Sequence, residues 1–293
     1  MRIINRITTS VLLFGFIVAL VAPFTFLKPK PISTSDKDVT SKSQQDSSKT
    51  KPVTVVKKPE KPLHSVTLPD FAKIYDIPTK KKRFFDFLRP AITKHNQELL
   101  NTRAKLEYWM EQTSLELGLT ESEQTELALL AKQYRVSKQS STLQKLDELL
   151  VKIDIIPESL VLVQAANESA WGTSRFARIG LNFFGIWCYK PKCGMVPNGR
   201  NEGAKHEVAA FQSVDDAVNG YFKNINTHNA YRVFRSIRSQ LREHNQPLDA
   251  EILATGLLPY SERGAHYVLD ITDMLRHNQR YFTVETTVVN TGD

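Results

Sequence analysis

Residues 157–172 read Pro-Glu-Ser-Leu-Val-Leu-Val-Gln-Ala-Ala-Asn-Glu-Ser-Ala-Trp-Gly, an apolar helical run that ends in a carboxylate, an aromatic residue and a glycine. The fixed φ of Pro157 suits the first turn of a helix. Apolar residues on nearly every face predict that this helix is buried in a domain core. Glu168 lies on the same face as Leu160 and Gln164, so we expect burial to raise the pKa of its carboxyl group.

A carboxyl group with a raised pKa is suited to general acid catalysis near neutral pH. Glu168 is therefore the first candidate for a catalytic residue. The alternative interpretation is a solvated glutamate at a helix end that Gly172 caps. The residues that follow Glu168 favour the catalytic interpretation.

The motif Glu168-Ser169-x-Trp171-Gly172 is followed by a second motif at residues 181–186, Leu-Asn-Phe-Phe-Gly-Ile. With these motifs the chain resembles the bacterial glucosaminidase family, whose members cut the glycan strands of peptidoglycan, and most closely its Bax-type branch. The resemblance runs from about residue 155 to 280. Its further motifs are residues 187–194, 206–208, 226–231 and 260–267, with weaker similarity at 81–88.

The resemblance implies that Glu168 is the general acid of the reaction. It also implies a cleft lined by four residues of the second motif: Asn182, Phe184, Gly185 and Ile186. Tyr267 is implied to bind the sugar or stabilise charge near the acid, and Tyr260 to bind substrate. A half-buried core tyrosine is the alternative for Tyr267. The family often carries Tyr-x-x-Asp-x-x-Tyr here, whereas Tyr260 and Tyr267 are seven apart with no aspartate between them.

A second carboxyl group usually assists the hydrolysis of a glycosidic bond. Glu202 and Glu207 are the acidic residues between Glu168 and Asp215. We favour Glu207, because residues 206–211 alternate like a strand that aims one side chain into the cleft. A glutamate on the surface of the strand is one alternative. Another is that the acetamido group of the substrate stabilises the cationic centre.

Three aromatic residues near the motifs are candidates for stacking on sugar rings: Trp171, Phe184 and Trp187. Large aromatic side chains more often belong to a core, so we favour stacking on a sugar for Phe184 alone. Cys188 and Cys193 lie close together in a chain that we expect to be exported to an oxidising compartment, which predicts a local disulfide. The chain lacks phosphate-loop, Rossmann and Gly-x-Ser-x-Gly motifs, and we predict neither a metal nor an organic cofactor.

The net charge of +8 is concentrated near the N-terminus. Residues 1–27 carry two arginines and no acid, and residues 28–62 carry nine lysines against four acids. The remainder is nearly neutral, which argues against a nucleic-acid partner. Arg2 and Arg6 precede an apolar run from about Val11 to Leu27, the layout of a signal peptide or membrane anchor. We therefore expect a cell-envelope location, periplasmic or anchored in the inner membrane and facing the periplasm.

The fold class predicted is α+β, mainly α. Residues 28–65 are rich in Lys, Ser, Thr and Pro and predict a disordered linker. Residues 66–152 predict a helical front subdomain, in which Thr120 and Glu123 form a capping box. Residues 153–283 predict a lysozyme-like catalytic domain with a small β-rich lobe, and 284–293 a tail.

The resemblance, taken with these observations, implies a monomeric peptidoglycan hydrolase, an endo-β-N-acetylglucosaminidase. Its partners would be the glycan strands and, if the N-terminal segment is not cleaved, the membrane. A lytic transglycosylase or muramidase is an alternative, since a single glutamate at a helix end suits those folds as well. A non-catalytic glycan-binding scaffold protein is a further alternative.

Overall fold

The computed structural model describes residues 60–197, 203 and 205–282. The expected signal or anchor at 1–27, the linker up to residue 59, Glu202 and the tail at 284–293 lie outside these residues. Among the described residues, no helix has both the length and the apolar character needed to cross a membrane.

The described chain is mainly helical, as the fold-class prediction requires. Its helices are α1 (Ile77–Ser114), α2 (Glu121–Gln133), α3 (Thr142–Lys152), α4 (Glu158–Ser169), α5 (Arg175–Gly180), α6 (Val214–Thr227), α7 (Arg232–Glu243), α8 (Ala250–Ala254) and α9 (Ala265–Asn278). Short 3-10 helices span Phe71–Lys73, Asn229–Tyr231, Thr255–Tyr260 and Gln279–Tyr281.

The front helices begin at local capping signals. The Asp76 carboxylate accepts a hydrogen bond from the Thr79 N–H at the start of α1. Thr120 and Glu123 form the predicted capping box of α2, and Ser141 and Gln144 form another at α3. These reciprocal bonds satisfy N–H groups that the first turn of a helix leaves without partners.

Helices α1 to α3 share one hydrophobic core with the helices that follow them. The buried face of α1 includes Phe84, Phe85, Leu88 and Ile92, and α1 packs against α3, α4 and α6. The predicted front subdomain therefore supports the helix that carries Glu168 directly.

The β lobe is a three-stranded antiparallel sheet of β1 (Trp187–Cys188), β2 (Gly194–Met195) and β3 (Glu207–Ala209), in the order β1-β3-β2. Trp187 pairs with Val208 and Cys188 with Glu207. The predicted disulfide between Cys188 and Cys193 is present and closes the connection from β1 to β2. The lobe is thus held by one central strand and one covalent bridge.

A buried ionic cluster joins α1, the segment between α3 and α4, and α7. The Asp154 carboxylate receives two hydrogen bonds from Arg242, at 3.0 and 2.8 Å, and an ion pair from Arg103 at 3.4 Å. Arg238 is fully buried and donates to the carbonyl oxygens of Asp154 and Ile155. Sequence reasoning missed this cluster.

Candidate active site

Glu168 lies in the last turn of α4, where the chain reverses direction sharply. Ala170, Trp171 and Gly172 follow with φ angles of 50°, 57° and 76°, all in the left-handed region. The Ser169 hydroxyl stabilises this reversal, because it donates to the Ala165 carbonyl at 2.6 Å and accepts from the Gly172 N–H at 2.9 Å. A Cβ on Gly172 would lie 2.5 Å from the ring of Phe71, so the close approach requires glycine.

The Glu168 carboxyl group is half-buried, and burial raises its pKa. Three groups oppose this shift without cancelling it: hydrogen bonds from Tyr267 and from the Asn167 amide, whose Nδ2 lies 3.3 Å from Oε1, and the positive charge of Arg263. The raised pKa predicted from the helix pattern is therefore confirmed. The group is suited to hold a proton and to transfer it.

The loop of the second motif brings backbone against the Glu168 carboxyl group. Gly185 is exposed, has a φ of +64°, and would place a Cβ 3.5 Å from Glu168 Oε2. Because glycine has no side chain, space beside the acid stays open. The structure thus brings Gly185 and Glu168 together, as the resemblance implied.

Asn182 and Tyr260 hold this loop in place. The buried Asn182 amide donates to the carbonyl oxygens of Ile186 and Ala209, both at 2.8 Å, and its oxygen accepts from the Ile186 N–H at 3.0 Å. The Tyr260 hydroxyl donates to the Phe184 carbonyl at 2.7 Å. In this structure the two side chains position the loop, and their binding of substrate stays a prediction.

The expectation that Phe184 stacks on a sugar is not met by its position. Its side chain is 1% exposed and stacks on Tyr221 with ring centroids 4.4 Å apart, so neither face is open to a ligand. Trp171 is partly buried and packs against Phe84 and Phe85. Only Trp187 of the three aromatic candidates is exposed.

Four tyrosines surround the acid: Tyr221, Tyr231, Tyr260 and Tyr267. Burial raises the pKa of each hydroxyl, and the nearby Glu168 carboxylate raises it further. Tyr260 and Tyr267 stack with ring centroids 5.4 Å apart. Sequence reasoning assigned no role to Tyr221, because a tyrosine on an amphipathic helix carries no signal that separates it from other core residues.

A chain of hydrogen bonds fixes the direction in which Tyr267 donates. The Tyr221 hydroxyl donates to Gln164 Oε1, and Gln164 Nε2 donates to the Tyr267 hydroxyl oxygen at 2.9 Å. The proton of the Tyr267 hydroxyl is then available to the nearby Glu168 carboxylate, whose pKa Tyr267 lowers. Gln164 thus connects two tyrosines that lie 57 and 103 residues away from it in the sequence.

Tyr267→Phe is expected to move the descending alkaline limb of the pH–activity profile to higher pH. The Tyr267 hydrogen bond lowers the pKa of Glu168, so its loss raises that pKa further. A general acid works while protonated, and activity then persists to higher pH. The profile of kcat/KM against pH measures the shift, with Tyr231→Phe as the control. A limb that stays in place or moves to lower pH would contradict this assignment.

Glu207 is buried in the β lobe. Its two carboxylate oxygens accept hydrogen bonds from the backbone N–H groups of Lys192 at 3.1 Å and Gly194 at 2.9 Å. The carboxylate and both cysteine sulfurs lie within 4.8 Å of one another, and these sulfurs offer no thiolate to a metal because they are bonded together. Glu207 braces the disulfide-closed loop, and its part in catalysis stays a prediction.

Gly185→Ala is expected to lower kcat/KM at least tenfold, because the new methyl group would occupy space beside Glu168 Oε2. The left-handed backbone adds a stability cost of about 1–2 kcal/mol. Gly118→Ala is the matched control, since Gly118 also has a left-handed φ of +74° and no atom lies within 4 Å of its added Cβ. Both variants should lose stability, and equal loss of activity in both would contradict the role of Gly185.

Comparison with known proteins identifies the family of the chain. A family model described as mannosyl-glycoprotein endo-beta-N-acetylglucosaminidase matches residues 143–280. The chain is 36% identical over 218 residues to "Protein bax" of Escherichia coli (strain K12), covering 74% of this chain and 76% of that protein. No solved structure shows a significant match.

The chain belongs to the glucosaminidase family, and this membership supports a protein of the glycosidase class. Within that family it is of the Bax type.

Proposed function

We propose that this protein is an endo-β-N-acetylglucosaminidase that hydrolyses the glycan strands of peptidoglycan, with Glu168 as general acid. One observation carries the proposal: the half-buried Glu168 carboxyl group, whose pKa burial raises, faces the exposed backbone of Gly185 and lies beside the Tyr267 hydroxyl. This arrangement suits a proton donor at the edge of a cleft. The family match supports a peptidoglycan-related substrate.

In the proposed reaction, Glu168 gives its proton to the oxygen of the leaving sugar as the glycosidic bond breaks. The carboxylate that remains accepts the hydrogen bond from Tyr267, which favours the ionised form and assists the transfer. Of the four tyrosines around the carboxyl group, Tyr221, Tyr231 and Tyr267 are buried and Tyr260 is partly buried. Burial thus favours the protonated form of Glu168, and the hydrogen bond favours its ionised form. The reaction converts the first form into the second.

The proposal places stabilisation of the developing positive charge with Glu207 or with the acetamido group of the substrate. The backbone N–H groups of Lys192 and Gly194 fix the orientation of the Glu207 carboxylate. A fixed carboxylate suits an electrostatic role, because no reorganisation is needed as charge develops.

Glu207→Gln is expected to lower kcat much more than glycan affinity, because its charge acts mainly in the transition state. Glu202→Gln is the control and should change little. Melting temperatures of both variants separate a catalytic loss from a loosened lobe. Mild effects in both variants, with slow cleavage of N-deacetylated glycan by the wild type, would assign the stabilisation to the acetamido group. A large kcat loss confined to Glu202→Gln would place the second carboxylate there.

Digestion of purified peptidoglycan by the full-length chain, followed by mass spectrometry of the new ends, tests the proposed activity. Reducing N-acetylglucosamine ends support it. Anhydro-muramic ends would indicate a lytic transglycosylase, and reducing N-acetylmuramic ends a muramidase. Glycan binding without cleavage would indicate a non-catalytic scaffold protein. A location in the periplasm or on the inner membrane, facing the periplasm, belongs to the same proposal and follows from the substrate and the N-terminal pattern.

A further inference from the structure

Trp187 differs from the other tryptophans of the chain. Its side chain is 52% exposed, whereas Trp109 is buried and Trp171 packs partly into the core. A single exposed apolar side chain needs no functional explanation by itself. Two further features distinguish Trp187: the ring that packs against it and the residues that lie beside it.

One face of the Trp187 indole ring packs against a neighbouring ring. It stacks on the His206 ring with centroids 4.1 Å apart and an angle of 18° between the planes. Trp187 belongs to β1, and His206 immediately precedes β3, its hydrogen-bonded neighbour. The disulfide begins at the next residue, Cys188. An aromatic surface ordered in advance loses little conformational entropy when it binds a ligand.

Trp187 also lies close to the proposed acid. Gly185, whose backbone faces Glu168 Oε2, precedes Trp187 by two residues. Two residues of extended chain span at most about 7 Å. The backbone of Trp187 is therefore within one or two sugar residues of the carboxyl group, along a glycan that passes Gly185.

A pyranose ring matches this surface chemically. Its axial C–H groups form an apolar face that packs on an aromatic ring, while its hydroxyl and acetamido groups stay at the edge. Tryptophan offers a large apolar face together with one N–H donor. His206 covers one face of the indole, so the exposed area of Trp187 lies on the rest of the ring.

We propose that Trp187, backed by His206, is a stacking platform for an N-acetylhexosamine residue of the glycan beside the bond that is cut. The inference rests on the proposed function and names the residue that binds the sugar. It places stacking on Trp187 instead of the buried ring of Phe184. Trp187 acts in this inference as a substrate-binding residue and takes no part in proton transfer.

The test measures binding without cleavage, in the full-length Glu168→Gln protein, by calorimetric titration with a tetramer of N-acetylglucosamine. When Trp187→Ala is introduced into the Glu168→Gln protein, the affinity for the tetramer is expected to fall about tenfold, or by about 1.4 kcal/mol. Trp187→Leu should lose as much, because it keeps apolar bulk without an aromatic face, and Trp187→Phe should retain most of the affinity. Tyr108→Ala is the matched control, since Tyr108 on α1 is also 52% exposed.

Unchanged affinity in the Trp187→Ala or Trp187→Leu protein would overturn the inference, as would absence of tetramer binding by the parent protein. Equal losses at Trp187 and Tyr108 would also overturn it. Failure of the proposed function is recognised separately, in the digestion of peptidoglycan by the wild type. If the wild type does not cleave but Trp187→Ala still weakens binding, the platform stands and the hydrolase proposal fails.

Discussion

Glu168→Gln is expected to lower hydrolysis of peptidoglycan by about 10² to 10⁴, the usual contribution of general acid catalysis. The amide keeps the shape of the side chain but has no proton to donate to the leaving oxygen. Turnover of purified glycan strands measures the loss. Glu111→Gln, an exposed glutamate on α1, is the control and should retain wild-type activity. Activity within tenfold of wild type in the Glu168→Gln protein would remove Glu168 from the proposed role.

The same variant carries a stability signature that separates catalysis from folding. Burial raises the pKa of Glu168 in the folded protein, so the protonated form is favoured there. The stability linked to this proton is complete at a pH below the pKa that Glu168 has in the unfolded protein. It is lost as pH rises through the pKa that Glu168 has in the folded protein. Glutamine carries no charge at any pH. The melting temperature of Glu168→Gln should therefore exceed that of the wild type above the folded pKa, and the difference should vanish in acid.

Asp154→Asn is expected to destabilise the protein by about 3–5 kcal/mol, the usual cost of removing one partner from a buried ionic group. Arg242 would lose a charged partner for its two hydrogen bonds, and Arg103 would lose its ion pair. Arg238 would stay buried beside them and would keep its charge, because a guanidinium group stays protonated at neutral pH. Denaturant unfolding measures the loss, with Asp147→Asn, an exposed aspartate of α3, as the control.

The pH dependence of this loss follows from the Asp154 pKa. Burial would raise it, but the Arg242 hydrogen bonds and the charges of Arg238, Arg103 and Arg242 together hold it below its usual value. A carboxyl group whose pKa is lowered by folding contributes stability at a pH above the pKa of the unfolded state. This stability is lost as pH falls through the pKa of the folded state. The difference in the free energy of unfolding between wild type and Asp154→Asn should thus be largest at neutral pH and should decrease in acid. A difference that increases in acid would contradict the role of the carboxylate.

Local sequence patterns determined much of the framework. The apolar run from residue 157 predicted a buried helix with Glu168 near its end, and α4 spans Glu158–Ser169. The Thr120–Glu123 capping box and the Cys188–Cys193 bridge were also predicted correctly. Each depends on residues a few positions apart, for which helical periodicity, capping geometry or a short loop decides the outcome.

Tertiary packing decided the direction of side chains in irregular segments. Asn182 and Phe184 belong to a motif that the resemblance places at the cleft, yet both side chains are buried. An irregular loop has no fixed period, so its sequence does not tell which side chains face inward. Glu207 shows the same limit, because its two backbone partners belong to the disulfide-closed connection that packs beside its strand.

The sequence by itself thus determined the helix that carries Glu168, the proposed acid, and the sign of the shift in its pKa. Tertiary structure alone decided the groups around the acid and the stabilising ionic cluster. The Tyr221–Gln164–Tyr267 chain and the Asp154 cluster join residues that are 51 to 103 positions apart. Hydrogen bonds and ion pairs act over a few ångströms, so only the packing of α4, α6, α7 and α9 brings these partners within reach.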